Sequence, residues 1–391
     1  MPEHSHEPDL DASQAYLPAT QLPAWTVEDL PTPPPLGAQG KRRSLGASLR
    51  SYGALIGPGV VMCGNQIGGG EWLFGPEITA RYGGGLMWIA TIAIVVQVFF
   101  NIEAGRYALY SGEPVMTGFM RLMPGPTFWI GAIMLLNIGA LIPGLSTHGA
   151  AVVASMYLGR PPGEADQALV QMLAYIALGA VVLPVLVGGK VYNTLQAVMT
   201  VKVLLVLGFC FFMGVFFVSP ANWWNVISGF FAFGNVTVVD AEGKEQIVNA
   251  FSYRWKNGEW PVIALANIAV LGAFAGYAGG GGLSNASYAN YVRDKGWGMG
   301  HRVGAIPSAI GGKQVTLSHL GKVFPLTQEN LVRWKGWWRY VLRDQLLIWG
   351  PGCFAGMALP ALLSLEFANY SPLSEGTSGL EWAQAVITAD G

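Results

Sequence analysis

Charged residues are scarce in this sequence. Only 12% of its 391 residues are Asp, Glu, Lys or Arg, whereas soluble globular proteins carry about 25%. Hydrophobic residues make up 52% of the chain, which also contains 53 Gly and 14 Trp. Gly is enriched in membrane helices and Trp at membrane interfaces. This composition excludes an ordinary soluble enzyme and predicts an all-α polytopic membrane protein, with the lipid bilayer as its first partner.

Groups that support catalysis or nucleic-acid binding are also few. The net charge is −1, so no positive field attracts nucleic acid. The three cysteines, Cys63, Cys210 and Cys353, lie apart in apolar stretches, which argues against a disulfide framework. The five histidines are scattered, and no nucleophile stands beside a base. We therefore expect neither an enzyme nor a resident cofactor.

Seven apolar stretches follow the N-terminal tail, each near the length of about 20 residues that crosses a membrane. They are residues 53–80, 86–108, 127–157, 168–188, 192–218, 261–290 and 345–366. The tail itself is rich in Pro and has no apolar run, which is typical of disorder. The predicted organisation is a disordered cytoplasmic tail (1–45), a first five-span repeat (46–218), an external loop (219–259) and the start of a second repeat (260–391).

Basic residues are distributed unequally between alternate loops. With seven spans, sixteen of the 22 Lys and Arg fall on the side of the N-terminus. Cytoplasmic loops carry the excess of Lys and Arg, so the N-terminus is predicted to be cytoplasmic in a multi-pass protein of the plasma or inner membrane. The loop after span six, TQENLVRWKGWWRYVLRDQ, mixes Trp with Arg and Lys and predicts a helix in the cytoplasmic interface.

Two spans are interrupted in the same way. The first reads GPGVVMCGNQIGGGEW and the sixth AFAGYAGGGGLSNASY, each with consecutive glycines near its middle. Gly costs up to about 1 kcal/mol relative to Ala in a helix, so both helices should unwind there. Matching interruptions of this kind indicate the binding site of a transporter. The candidate substrate-binding residues are Asn65, Gln66, Gly68, Gly69, Gly70, Glu71, Tyr277, Gly279, Gly280 and Gly281.

Ionisable residues inside spans are functional candidates because charge at membrane depth is costly. Glu71 is the candidate metal ligand, or a proton carrier, unless it forms a buried ion pair with Lys202. Lys202 could occupy the place of a coupling sodium ion or exchange a proton, or its side chain could extend to the cytoplasmic interface. His148 is either a proton relay or a packing residue. Glu103 and Arg106, three residues apart, are expected to form a structural pair.

The first span resembles that of the Nramp family of proton-coupled divalent-metal transporters. Residues GPGVVMCGNQIGGGEWLFGPEITARYGGGLMW align without a gap, including Gly57, Pro58 and Gly59. The resemblance implies the LeuT-like inverted-repeat fold, truncated after about seven of ten core spans, and metal transport by symport. However, the family's Asp-Pro-Gly-Asn motif falls on GGGE, and its Met-Pro-His falls on Gly279, Gly280 and Gly281. Without the Met sulfur, one carboxylate plus carbonyls would suit harder cations such as Mn²⁺ or Mg²⁺.

Two alternatives stay open at this point. AFAGYAGGGGLSNASY and the TVK around Lys202 also look like amino-acid permeases of the amino acid-polyamine-cation superfamily. There, glycine amides at the half-helix ends bind a substrate carboxylate. Glu71 would then contact a substrate amine or a coupling ion. The other alternative is a membrane sensor that binds the ligand without transporting it.

Overall fold

The structure is a computed structural model that describes residues 25–34, 57–67, 70–138, 144–239, 245–263, 268–318 and 320–367. Helices make up most of this part of the chain, as predicted. Two small two-stranded sheets are also present. The helices are α1 (Pro58–Gln66), α2 (Gly70–Tyr82), α3 (Trp88–Ser111), α4 (Val115–Met120), α5 (Pro126–Leu136), α6 (Gly144–Leu158), α7 (Gln167–Leu186), α8 (Val191–Phe217), α9 (Pro220–Gly229), α10 (Ala250–Asn257), α11 (Ile268–Tyr277), α12 (Ser287–Lys295), α13 (Gly300–Val303), α14 (Gln328–Arg343) and α15 (Gly350–Phe367). The strands are β1 (Thr26–Val27), β2 (Asn235–Val239), β3 (Glu245–Asn249) and β4 (Lys322–Val323).

Four stretches of helix in the described part are long and apolar enough to cross a membrane. They are Trp88–Ser111, Glu164–Leu183, Val191–Phe217 and Gln328–Phe367. The last includes α14, a π-helical segment (Asp344–Trp349) and α15. Only 6% of the apolar window in Glu164–Leu183 and 11% of that in Val191–Phe217 are buried inside the protein. These exposed apolar faces are suited to contact lipid.

The other three predicted spans do not form long continuous helices. The first and sixth are each divided into two short helices, as their glycines predict. The predicted span 127–157 is also divided, into α5 and α6. Helix α5 ends at Leu136, where the next residue, Asn137, turns its side-chain amide back to the Ile133 carbonyl (3.1 Å). Such a bond competes with continuation of the helix.

Two hydrophobic clusters hold the helices together. One contains Met62, Ile94, Tyr288 and Trp349, and the other contains Ile78, Met87, Phe274 and Met357. Helices α3 and α15 contribute to both clusters. The breaks of the two divided spans lie at the boundary between the clusters. At the first break Ile67 belongs to the first cluster, and at the sixth-span break Ala278 belongs to the second.

Residues 25–34 lie on the protein rather than in solvent, in contrast to the disorder predicted for the whole tail. Strand β1 pairs in parallel with β4, and Leu30 is fully buried. Trp337 Nε1 of α14 donates to the Pro31 carbonyl (2.7 Å), and Tyr340 Oη donates to the Pro34 carbonyl (3.0 Å). The predicted basic aromatic helix is present as α14, but these two aromatic residues are buried against the N-terminal segment instead of facing lipid.

The predicted external loop is largely structured. It contains α9, the antiparallel hairpin of β2 and β3, and α10. Trp223 is tied to the end of α8, because its Nε1 donates to the Gly214 carbonyl (2.9 Å). Trp224 is 71% exposed, which suits an aromatic residue at a membrane interface.

Candidate functional site

The first span breaks immediately after a buried amide side chain. Helix α1 ends at Gln66, and Ile67 has extended backbone (φ −63°, ψ 115°). Gly68 and Gly69 lie outside the described residues. Helix α2 begins at Gly70 with Glu71 as its second residue, and the side chain of Glu71 also lies outside the described part. The predicted interruption is therefore present, while the role of Glu71 stays a prediction.

The sixth span breaks between α11 and α12. Gly279 (φ +83°) and Gly281 (φ +62°) adopt left-handed backbone that other residues rarely adopt. At Gly281 the space is also closed, because an added Cβ would overlap the carbonyl oxygen of Gly276. A 3₁₀ turn at Gly282–Ala286 then leads into α12. The glycine run thus produces the unwound segment that the sequence predicts.

Gln97 of α3 holds this unwound segment. Its Nε2 donates to the Ala278 carbonyl (2.7 Å), and its Oε1 accepts from the backbone N–H groups of Gly280 (2.9 Å) and Gly281 (3.0 Å). The same oxygen accepts from Asn285 Nδ2 (2.8 Å). A buried backbone group without a partner costs free energy comparable to a lost hydrogen bond. Gln97 therefore replaces the helical hydrogen bonds that the break removes.

The two breaks lie against each other. A Cβ at Gly280 would overlap Gln66 Nε2 from the first break and would approach Asn285 Oδ1 to 2.7 Å. Gln66 is buried, and its Oε1 accepts from Trp349 Nε1 (2.7 Å) and the Cys353 thiol (3.4 Å). Because Gly280 has no side chain, the Gln66 amide group of the first span can pack directly against the backbone of the sixth span. The structure thus brings together Gln66 and Gly280, which the sequence nominated for one site.

Asn285 leaves an acceptor unused at this junction. Its Oδ1 atom is buried and has no hydrogen-bond partner, although its Nδ2 is bound by Gln97. By contrast, two of the four glycine N–H groups at this break, those of Gly280 and Gly281, donate to Gln97. In the described residues, the junction therefore offers one oxygen acceptor, while the N–H groups of Gly280 and Gly281 are already bound.

Lys202 of α8 contacts the end of the first half-helix. Its Nζ donates to the Gly64 carbonyl (2.8 Å), in the last turn of α1. A cation at a helix C-terminus interacts favourably with the partial negative charge of its free carbonyls. The Lys202 ammonium group therefore lies beside the first break, and its predicted role in coupling stays a prediction.

The remaining predicted residues make fewer described contacts at the junction of the two breaks. Tyr277 is 53% exposed, and its ring stacks on Phe74 of α2 (centroids 5.3 Å apart), so it bridges the two divided spans. The side chain of Asn65 is exposed. His148 lies in α6, and its side chain is outside the described part. Glu103 and Arg106 form the predicted ion pair on an exposed face of α3.

Within the described ranges, no three His, Cys, Asp or Glu side chains come together to hold a metal ion. The side chains of Glu71 and His148 are not among the described ones and are not covered by this finding.

Sequence reasoning missed Gln97 and Asp344. Gln97 is the one Gln in an otherwise apolar stretch, IAIVVQVFF, and a polar residue inside a span was the available signal. Asp344 was placed in a cytoplasmic loop, but it is fully buried at the start of the π-helical segment.

Comparisons with known proteins leave the family open. No protein-family model matches the chain, and no match was found among curated proteins or solved structures. The resemblance to the Nramp family, and with it the LeuT-like fold, therefore stays a prediction.

Proposed function

We propose that this protein is a secondary active transporter that binds a divalent metal cation between its two broken spans. The observation that carries the proposal is the meeting of the breaks at Gln66 and Gly280. Gly-interrupted spans in corresponding positions are the usual place of a transporter's substrate site. Alternating access would then require one group of helices to move against the other around this junction.

The hydrogen bonding at the junction favours a cation over an amino acid. An amino-acid substrate would need glycine N–H groups for its carboxylate, and two of those at the sixth-span break, in Gly280 and Gly281, already donate to Gln97. A cation needs oxygen ligands, and the buried Asn285 Oδ1 is without a partner. Glu71 would supply the negative charge, and a single carboxylate with carbonyls suits Mn²⁺ or Mg²⁺.

A ligand-dependent unfolding experiment tests this proposal on the purified full chain. Mn²⁺, Mg²⁺, Ca²⁺ and a panel of amino acids are titrated separately, since a ligand that binds only the folded state raises the unfolding temperature. We expect a saturable rise with a divalent cation that is lost in Glu71→Gln. Glu103→Gln is the matched control, because Glu103 is exposed and paired with Arg106. A rise only with amino acids would support the permease instead.

Transport itself is measured in sealed liposomes with a Mn²⁺-sensitive dye inside. Wild type and Glu103→Gln should accumulate Mn²⁺, whereas Glu71→Gln should not. Saturable binding without accumulation by wild type would support a sensor that binds the ion but does not move it.

A further inference from the structure

A second buried polar cluster lies at the other end of α1, away from the junction. Asp344 is fully buried where the π-helical segment begins. Its Oδ2 accepts from Tyr288 Oη of α12 (2.9 Å) and from Gln345 Nε2 (3.2 Å), and its carboxyl group also accepts from the backbone N–H of Gly59. Asp344 therefore joins α12, the π-helical segment and the N-terminus of α1.

The cluster has unused hydrogen-bonding atoms. Asp344 Oδ1 and Gln345 Oε1 are buried acceptors without a partner, and both side chains are fully buried. Tyr192 Oη of α8 is also buried without a partner, and this residue interacts electrostatically with Asp344. Buried polar groups normally have partners, so two neighbouring orphan acceptors require an explanation.

The charge of Asp344 is not balanced by an ion pair in the described residues. The cation that faces it, Lys295, donates to Gln196 Oε1 (2.8 Å) and lies over the Tyr192 ring at 5.7 Å. The other titratable groups facing Asp344 are Tyr288 and Tyr192. A buried carboxylate without a cation is unfavourable and normally takes up a proton.

We propose that Asp344 is a proton-binding site and that its charge state controls how strongly it holds the N-terminus of α1. A proton on Oδ1 converts an orphan acceptor into a donor. When the proton leaves, the carboxylate carries a full negative charge against the positive end of the α1 dipole and binds the Gly59 N–H more strongly.

A proton fits this cluster better than a metal ion does. Calcium binds about six to eight oxygens, whereas the described cluster has three unpartnered oxygens, those of Asp344, Gln345 and Tyr192. The π-helical geometry at Asp344–Trp349 supports a functional role, because π-helical turns occur frequently at functional sites. Tyr192 interacts electrostatically with Asp344, and its ring lies 5.7 Å from the ammonium group of the half-buried Lys295, so a titratable group and a cation adjoin the cluster.

The coupling part of this proposal rests on the transport function proposed above, whereas the proton site does not. Because α1 ends at Gln66 in the junction, a change at Gly59 acts on the same nine-residue helix that reaches the substrate site. Release of the proton would tighten the contact at one end of α1 as the cation binds or leaves at the other end.

The proton site is tested by infrared difference spectroscopy of the full chain in liposomes, titrated with acid and base. We expect the C=O band of a protonated carboxyl group in a water-poor environment, lost on titration and absent in Asp344→Asn. Asp166→Asn is the control, because Asp166 pairs with Arg160 elsewhere in the chain (2.7 Å) and should leave the band unchanged. A band that persists in Asp344→Asn would overturn the proposal.

Two further measurements cover the other outcomes. If Asp344→Asn does not fold, Tyr288→Phe should shift the band without removing it, because it removes one hydrogen bond to Oδ2; an unshifted band would overturn the assignment. Repeating the titration in sodium chloride and in choline chloride separates a proton from an alkali cation. If sodium removes the band at constant pH, the cluster is a cation site and the proton proposal is wrong.

Coupling is measured with a pH-sensitive dye in liposomes driven by a Mn²⁺ gradient. Wild type should move protons with Mn²⁺, and Asp344→Asn should move Mn²⁺ with proton movement lost. Unchanged proton movement in the variant would overturn the coupling role. If neither protein moves Mn²⁺ while the infrared band still titrates, the transport function fails and the proton site stands.

Discussion

The side chains of Asp344 and Lys202 bind opposite ends of the same half-helix, α1. Asp344 accepts from the Gly59 N–H in the first turn, and Lys202 donates to the Gly64 carbonyl in the last turn. Both arrangements match the helix dipole, which is positive at the N-terminus and negative at the C-terminus. A helix of only two to three turns, interrupted within its predicted span, thus receives stabilisation at both ends from other helices.

Lys202→Met should lower stability and tighten cation binding together. The variant leaves the Gly64 carbonyl without its charged donor, which should cost roughly 1.5–3 kcal/mol of unfolding free energy. It also removes a positive charge beside the proposed cation site, so Mn²⁺ should bind more tightly. Chemical denaturation and Mn²⁺ titration measure the two effects. Lys313→Met, at an exposed position, should change neither, and weaker Mn²⁺ binding by Lys202→Met would contradict the cation site.

Gln97→Leu should be among the most destabilising single changes in α3. It removes the partner of one carbonyl, two backbone N–H groups and the Asn285 amide. Each group left unsatisfied costs about 1–3 kcal/mol, so a loss of at least about 3 kcal/mol is expected. Hydrogen exchange at Gly280 and Gly281 should become faster. Gln97→Glu keeps the accepting oxygen and should lose less; an equal loss in both variants would mean that the acceptor is unimportant.

Gly280→Ala should push the two helix breaks apart and destabilise the protein. A methyl group there overlaps the Gln66 amide, and overpacking costs about 1–3 kcal/mol. Gly272→Ala is the matched change in α11, where an added Cβ has open space, and it should stabilise the protein by up to about 1 kcal/mol. Unfolding and Mn²⁺ binding are compared for both. Equal behaviour of the two variants would show that the junction is loosely packed.

Stability should fall in acid partly through Glu113. Burial raises the pKa of this carboxyl group, but hydrogen bonds from Arg121 and Tyr107 and the Arg121 charge outweigh burial and hold the pKa below its usual value. A lowered folded-state pKa contributes stability above the unfolded-state value of about 4.3, and this is lost as pH falls through the folded-state pKa. The difference in unfolding temperature between wild type and Glu113→Gln should therefore be constant near neutral pH and shrink in acid. A difference that does not change with pH would refute this.

Leu30→Ala tests whether the N-terminal segment is part of the folded structure. Leu30 is fully buried, and its backbone N–H donates to Asn330 Oδ1 (3.2 Å). Removing a buried Leu side chain costs about 2–5 kcal/mol. Val27 is 45% exposed, so Val27→Ala should change stability by about 0.5 kcal/mol or less. Thermal unfolding with limited proteolysis would show the difference, and no effect of Leu30→Ala would mean that the segment is not held.

The helix breaks could be predicted because their cause is local. Runs of glycine disfavour helix wherever they occur, so the interruptions near Gly70 and Gly280 follow from a few adjacent residues. The long apolar helices α3 and α8 could be predicted for the same reason, since their composition alone indicates membrane-spanning length.

Other features depend on partners far away in the sequence. Gln97 binds residues 181 to 188 positions later, and no local pattern shows that these residues meet. The tail was predicted to be disordered from its prolines, but Pro31 and Pro34 offer carbonyls to Trp337 and Tyr340, about 300 residues away. Proline has no backbone N–H but keeps its carbonyl, so a Pro-rich segment can still be held by donors on another element.

The burial of all three cysteines has a practical consequence for labelling. Cys63, Cys210 and Cys353 are at most 1% exposed, so maleimide reagents should leave the folded native chain unmodified. Single reporter cysteines can therefore be introduced without first removing natural ones. Trp255, on the predicted outer side, is 91% exposed, and Leu326, on the predicted inner side, is 81% exposed. A membrane-impermeant maleimide applied to intact cells would then report directly which face of the protein each position occupies.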